Sequence, residues 1–189
     1  MARRPSRDLR IQPLGDMHDR AGFDCGVESL DRYLKTQAGQ DVRRKSNAVF
    51  VLSELADPTR ILGYYTLCAM AISQGEVPEA ARKHIPRYPL VSATLIGRLA
   101  VAKERQRQRL GAVLLADALR RAFDSASVVG SSMVVVDALD EAAGVSMQRM
   151  GSCGCRTRFG SCCRCAWRPG ALSDDGVGRA KCHQTHSAA

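Results

Sequence analysis

The chain has 189 residues, 45% of them hydrophobic, which is enough for one domain with a sizeable core and too few to argue for two. Its formal charge is +9, but residues 144–189 carry +5 of that, with seven Lys/Arg against Asp174 and Asp175, so the basic excess is no guide by itself to a specific anion site. The amino terminus MARRPSRDLR holds no apolar stretch, and no apolar run approaches the roughly 18 residues of a membrane span, so a cytoplasmic protein with reduced thiols and no membrane contact is expected.

Taken in chain order, residues 8–13 read as a first strand. Helical spacing follows at Leu30, Tyr33, Leu34, Gln37 and Ala38. Apolar runs at 47–54 and 60–72 predict two strands, and the link Ala56-Asp57-Pro58-Thr59 makes them an antiparallel hairpin. Tyr64 and Tyr65 alternate on the second of these strands, with one expected in the core and one facing a groove. Pro78 and Glu79 open a short helix near 78–84. A strand at 91–101 leads to the strongest helical pattern, Leu110, Val113, Leu114, Ala118, Leu119 and Ala122, which predicts a helix over 108–126. A fifth strand is expected at 132–138. From Gly144 onward no period persists for two turns. The order β, α, β, β, (α), β, α, β predicts an α/β (α+β) core over residues 1–143, with residues 144–189 a Cys/Arg/Gly-rich tail expected to be disordered.

The segment from Leu99 to Leu115 carries the most chemistry. A buried strand (Leu99, Ala100, Val101) runs into the polar loop Ala102-Lys103-Glu104-Arg105-Gln106-Arg107-Gln108-Arg109 and then directly into an amphipathic helix (Leu110, Gly111, Ala112). The first N–H groups of such a helix lack intrahelical partners and point with the helix dipole, which suits an anion such as a pyrophosphate.

This segment resembles the motif Q/R-x-x-G-x-G/A of the GNAT superfamily of N-acetyltransferases, matched by Gln106, Gly111 and the spacing between them. Arg109 stands where that family usually has its first glycine. Further landmarks follow the toxin-type GNAT subfamily in order: Phe23-Asp24-Cys25-Gly26, Leu30-Asp31-Arg32-Tyr33-Leu34, Gly63-Tyr64-Tyr65-Thr66-Leu67, Pro86-Arg87-Tyr88-Pro89 and Gly97-Arg98-Leu99-Ala100-Val101. The resemblance covers roughly residues 8 to 143. It implies the GNAT fold, a mixed and mostly antiparallel central sheet with flanking helices. It also implies that Leu99, Ala100 and Val101 pair with the pantetheine arm of acetyl-CoA, and that Gln106, Arg107, Gln108, Arg109, Leu110, Gly111 and Ala112 cradle its pyrophosphate. Members of the subfamily acetylate the free amine on aminoacyl-tRNA and are neutralised by a ribbon-helix-helix antitoxin. A homodimer is compatible with this picture.

The family's acid is a tyrosine after the fifth strand, in a motif like F-Y-x-x-x-G-F. Here Ala142-Ala143-Gly144-Val145-Ser146-Met147-Gln148-Arg149 contains no aromatic residue, and no tyrosine follows Tyr88, so a catalytic residue cannot be named. Cysteine is abrupt as well, with Cys25 and Cys68 before residue 150 and six cysteines after it. Codons permitted for Val145 through Cys165, read two bases later, give FYAAHGFVRLPDSIRLVLPM, which restores the motif and an apolar strand. The tail thus has the character of a shifted reading frame beginning near codons 141 to 145. The C-terminal strands of the fold are then missing or replaced, the edge of the fifth strand is left uncovered, and transfer is impaired.

Other residues have plainer readings. Cys25, Cys68, His18 and His84 are packing residues. Cys153, Cys155, Cys162, Cys163, Cys165, Cys182, His183 and His186 are poorly spaced for zinc, and no metal is expected. Arg43, Arg44 and Lys45 at a helix end, with Arg87 and Arg98, suit a tRNA backbone, although cations also complement a helix C-terminus. Two other functions stay open: acetylation of a small-molecule or protein amine, and a non-catalytic remnant that binds acetyl-CoA or an antitoxin.

Overall fold

The computed structural model describes residues 8–77, 82, 85 and 87–137, and the backbone of 164–167. The elements are β1 (Leu9–Pro13), α1 (Glu28–Arg32), a π-helical turn (Tyr33–Gln37), α2 (Ala38–Arg44), β2 (Ala48–Glu54), β3 (Gly63–Ser73), β4 (Leu90–Val101), α3 (Leu110–Val129), β5 (Met133–Asp137) and β6 (Arg164–Trp167). The six strands follow chain order in one sheet, β1-β2-β3-β4-β5-β6. β1 runs antiparallel to β2, with Ile11 opposite Leu52, and β4 runs parallel to β5, with Ala93 opposite Met133. The link 55–62 is too short for a crossover, so β2 and β3 form the expected hairpin. The fold is mixed α/β, as the order of elements implied.

Two compact units divide the chain, Met1–Thr66 with Leu99–Asp117, and Leu67–Arg98 with Ala118–Ala189. The first is built around Phe23, Leu30, Tyr33, Leu34, Val49, Val51, Ile61 and Tyr64. Tyr64 is wholly buried; Phe23 meets it edge-on with centroids 5.5 Å apart, and its hydroxyl donates to Leu30 O at 2.9 Å. The second unit buries Ile72, Val77, Ile85, Val91, Ala93, Met133 and Val135. All of Met133, Val134, Val135 and Val136 are buried, which fits a strand covered on both faces.

The first helical region is not one α-helix. Its inward residues Leu30, Leu34, Ala38 and Val42 repeat every four, and this spacing outruns a 3.6-residue turn by roughly 40° per step. The wider turn Tyr33–Gln37 takes up the slip. Within it the Thr36 hydroxyl donates to Arg32 O at 2.8 Å.

Three expectations change. Tyr64 and Tyr65 are both wholly buried, so neither faces a groove; Tyr65 stacks on Phe50 (5.2 Å, 21°) and donates to Asp117 Oδ2 at 2.6 Å. Opposite faces of β3 are thus both covered within the first unit. The edge of β5 is not left open: β6 pairs with it antiparallel, Val135 opposite Ala166, so part of the tail supplies a strand. The helix expected over 108–126 begins at Leu110, because Arg109 is left-handed. The short helix expected near 78–84 lies, Arg82 apart, outside the described residues, as do His84 and the tail other than 164–167.

Candidate functional site

The end of β4, the loop after it and the start of α3 all belong to the first unit. β4 pairs with β5 from Ala93 to Ile96. Leu99, Ala100 and Val101 lie beyond that ladder. Gly63 sets the packing beneath them: a Cβ there would come within 2.8 Å of Ala100 O and 2.9 Å of Leu114 Cδ1, so only glycine lets β3, β4 and α3 approach this closely.

The loop is pinned at its start and open at its end. Ala102 N–H donates to Leu62 O (2.9 Å) and Lys103 N–H to Asp24 O (2.8 Å), and a 3-10 turn covers Lys103–Arg105. Gln106 Nε2 then donates to Cys25 O at 2.9 Å and to Val101 O at 3.3 Å, so this side chain anchors the loop instead of projecting from it. Arg107 and Arg109 both take φ of +61°. Ala112 and Val113 are the first helix residues whose N–H groups meet a carbonyl among the described residues, both on Arg109 O, at 3.0 and 3.3 Å. Leu110 and Gly111 therefore present N–H groups at the head of a 20-residue helix. A methyl at Gly111 would meet only ordinary contacts, 3.9 Å from Leu99 Cδ2 and Val101 Cγ2, so alanine would fit.

The three loop arginines differ in what they can do. Arg105 is paired with Glu54 at 3.1 Å, both side chains mostly covered, and its charge is spent inside the protein. Arg107 and Arg109 are exposed, and neither has an ion pair among the described residues.

A cavity of about 550 Å³ opens beside the first half of the loop, lined by Asp19, Asp24, Asp57, Arg60, Lys103 and Glu104 among others. Its carboxylates shape the surrounding turns: Asp19 accepts from Ala21 and Gly22 N–H (3.0 and 3.1 Å), Asp24 from Gly26 N–H (2.8 Å) and Asp57 from the Thr59 hydroxyl (2.9 Å), while Glu104 pairs with Arg60.

The remaining candidates fall into place individually. Burial, with the Asp31 carboxylate beside it, pushes the Cys25 thiol up to about 11, so it is no nucleophile near neutrality. His18 is buried, bonded to Gln12 and to the Gly15 backbone. Arg43, Arg44 and Lys45 are exposed at the end of α2 in the first unit, whereas Arg87 and the half-buried Arg98 belong to the second. Arg20, which no sequence pattern singles out, lies against Gly39 of α2 beside Arg43. Among the described residues no group of His, Cys, Asp and Glu could hold a metal, and no helix is long and apolar enough to cross a membrane.

No protein-family model matches the chain. The tRNA-acetylating toxin of Mycobacterium tuberculosis (strain ATCC 25618 / H37Rv) is 30% identical to it over 130 residues, 69% of this chain and 75% of the relative. The chain belongs to the toxin-type GNAT acetyltransferases. Two solved structures of such toxins share its fold. AtaT complexed with acetyl-methionyl-tRNAfMet is 32% identical with a TM-score of 0.69, covering 76% of this chain and 86% of AtaT. A tyrosine-to-phenylalanine variant of the AtaT toxin, bound to the C-terminus of the antitoxin AtaR and acetyl-CoA, is 30% identical with a TM-score of 0.62, covering 76% and 83%. Arg109 stands at the first glycine of the motif that this loop resembles, and its left-handed backbone is the conformation that favours glycine. This chain keeps the conformation and changes the side chain.

Proposed function

We propose that this chain is an acetyl-CoA-dependent N-acetyltransferase that acts in the cytoplasm on the amine of aminoacyl-tRNA, blocks translation and is held in check by an antitoxin. The observation that carries the reading is the left-handed loop at Arg107 and Arg109, which delivers the Leu110 and Gly111 N–H groups to the head of α3. In this reading Leu99, Ala100 and Val101 align the pantetheine arm of acetyl-CoA, and Arg107 through Ala112 receive its pyrophosphate. Gln106 holds the loop in place, and the guanidinium groups of Arg107 and Arg109 add charge-assisted contacts to the phosphates.

The neutral amine attacks the thioester carbonyl, a C–N bond forms, the C–S bond breaks, and the amine loses a proton while the CoA thiolate gains one. Holding both reactants in line supplies much of the acceleration. A placed acid is worth about 10²- to 10⁴-fold. With no tyrosine after Tyr88, protonation of the leaving thiolate falls to water, and transfer is slow by about that factor.

Calorimetry with acetyl-CoA, then acetyl transfer to charged tRNA by this chain and by one whose coding frame is restored after codon 143, tests the proposal. Tight acetyl-CoA binding with slow transfer, accelerated in the restored chain, is expected. Absence of acetyl-CoA binding would sink the reading of the loop, and equal rates in the two chains would sink the reading of the tail.

A further inference from the structure

Arg20 and Arg43 come together over Gly39. A methyl group added at Gly39 would collide with Arg20 Nη1 and would find Arg20 Cζ at 3.3 Å, so the missing side chain makes room for the Arg20 guanidinium, with Arg43 Nη1 beside it at an ordinary contact distance of 3.6 Å. The two arginines arrive from different elements. Arg43 is one turn beyond Gly39 on the same face of α2. Arg20 sits in the turn Asp19–Gly22, which Asp19 Oδ1 closes on Ala21 and Gly22 N–H, and which is tied to the β2–β3 link where Asp19 N–H donates to Thr59 O at 2.9 Å.

Neither guanidinium has an ion pair among the described residues. Asp41, on the same helix, is occupied by the Tyr33 hydroxyl and by Asn47 Nδ2, each at 2.9 Å. Arg44 and Lys45 follow, exposed, and add positive potential. Two like charges held side by side without an acid repel each other, and an anion between them reverses the sign of that interaction. Planar guanidinium groups present forked donors that match phosphate oxygens.

We propose that Arg20 and Arg43, set over Gly39, form a phosphodiester site for an RNA backbone. The site rests on the reading of the chain as acting on charged tRNA, and serves the nucleic-acid half of that reaction. A phosphate contact of this kind fixes position and reads no base.

Fluorescence anisotropy with deacylated tRNA, across a range of salt, tests it in four variants. Arg20→Gln and Arg43→Gln each remove one charge. Gly39→Ala removes none and favours the helix, but its methyl displaces Arg20. Arg20→Gln and Arg43→Gln are each expected to weaken tRNA binding about 5- to 10-fold and to flatten the log-log salt dependence by about one unit, with Gly39→Ala and Arg44→Gln weaker in effect and acetyl-CoA binding unchanged in all four. Equal affinity in Arg20→Gln and the unaltered chain would overturn the site, as would a loss in Arg44→Gln as large as that in Arg20→Gln. It would also be overturned if the unaltered chain bound polyglutamate through Arg20 and did not bind tRNA. Arg20-dependent tRNA binding in a chain that transfers no acetyl group would sink the functional reading and leave the phosphodiester site standing.

Discussion

The Tyr65 hydroxyl donates a 2.6 Å hydrogen bond to Asp117 Oδ2 from a side chain that is wholly buried, so the strand that leads away from Gly63 is bonded to the helix that follows the 102–109 loop. A hydrogen bond to a charged acceptor contributes about 1.5–3 kcal/mol. Tyr65→Phe should therefore lower stability by about that amount in urea denaturation while retaining the stacking on Phe50. An unchanged midpoint would mean that Asp117 finds an equal partner in water.

Arg109→Gly should move stability and affinity in opposite directions. The left-handed backbone costs a non-glycine residue about 1–2 kcal/mol, and glycine gives back about 0.5–1 of this in chain entropy. A gain of up to about 1 kcal/mol is expected, with acetyl-CoA affinity falling by about 10-fold as the guanidinium is lost. Thermal denaturation and calorimetry on the same variant check the pair; tighter acetyl-CoA binding would show that the side chain obstructs the phosphates.

Cys25 sets a pH limit. Its thiol is raised from 9.0 to about 11, so the folded chain holds a proton that the unfolded chain releases. The stabilisation is fully present below pH 9 and is lost as pH rises from 9 to 11, by about 2–3 kcal/mol in all. Cys25→Ala should remove that slope. Near pH 8 alkylation of Cys25 should run about 100-fold slower in the folded chain than in urea, as mass spectrometry of the labelled peptide would reveal.

Gly63→Ala tests the close approach beneath the loop. A Cβ 2.8 Å from Ala100 O, a backbone atom, forces β4 to shift, and a loss of about 1–3 kcal/mol is expected. Hydrogen exchange at the start of α3 should rise with it. A fully stable variant would show that β4 gives way to the methyl without loss.

Most of the sheet is legible in the sequence because each strand is a short apolar run between turn residues. The predicted runs 47–54 and 91–101 differ from β2 and β4 by one residue. The strand, polar loop and helix over 90–129 are legible for the same local reason, since they are contiguous. What periodicity could not give depends on partners distant in sequence. Glu54 takes Arg105 out of play, Asp117 takes the Tyr65 hydroxyl into the interior, and Arg20 reaches Gly39 from another element. The helical spacing from Leu30 to Ala38 is visible in the sequence, but the π-helical turn inside it is a tertiary response. β6 escaped because its four residues carry no alternation longer than the strand itself.

A π-helical turn holds more residues than an α-helical one, so it resets the face presented by everything after it. At Tyr33–Gln37 the wider turn keeps Ala38 and Val42 in line with Leu30 and Leu34, and so sets the face from which Gly39 and Arg43 meet Arg20. Deleting one residue from this turn should therefore swing Ala38 and Val42 off the core and carry Gly39 away from Arg20, which a loss of stability in urea denaturation would reveal.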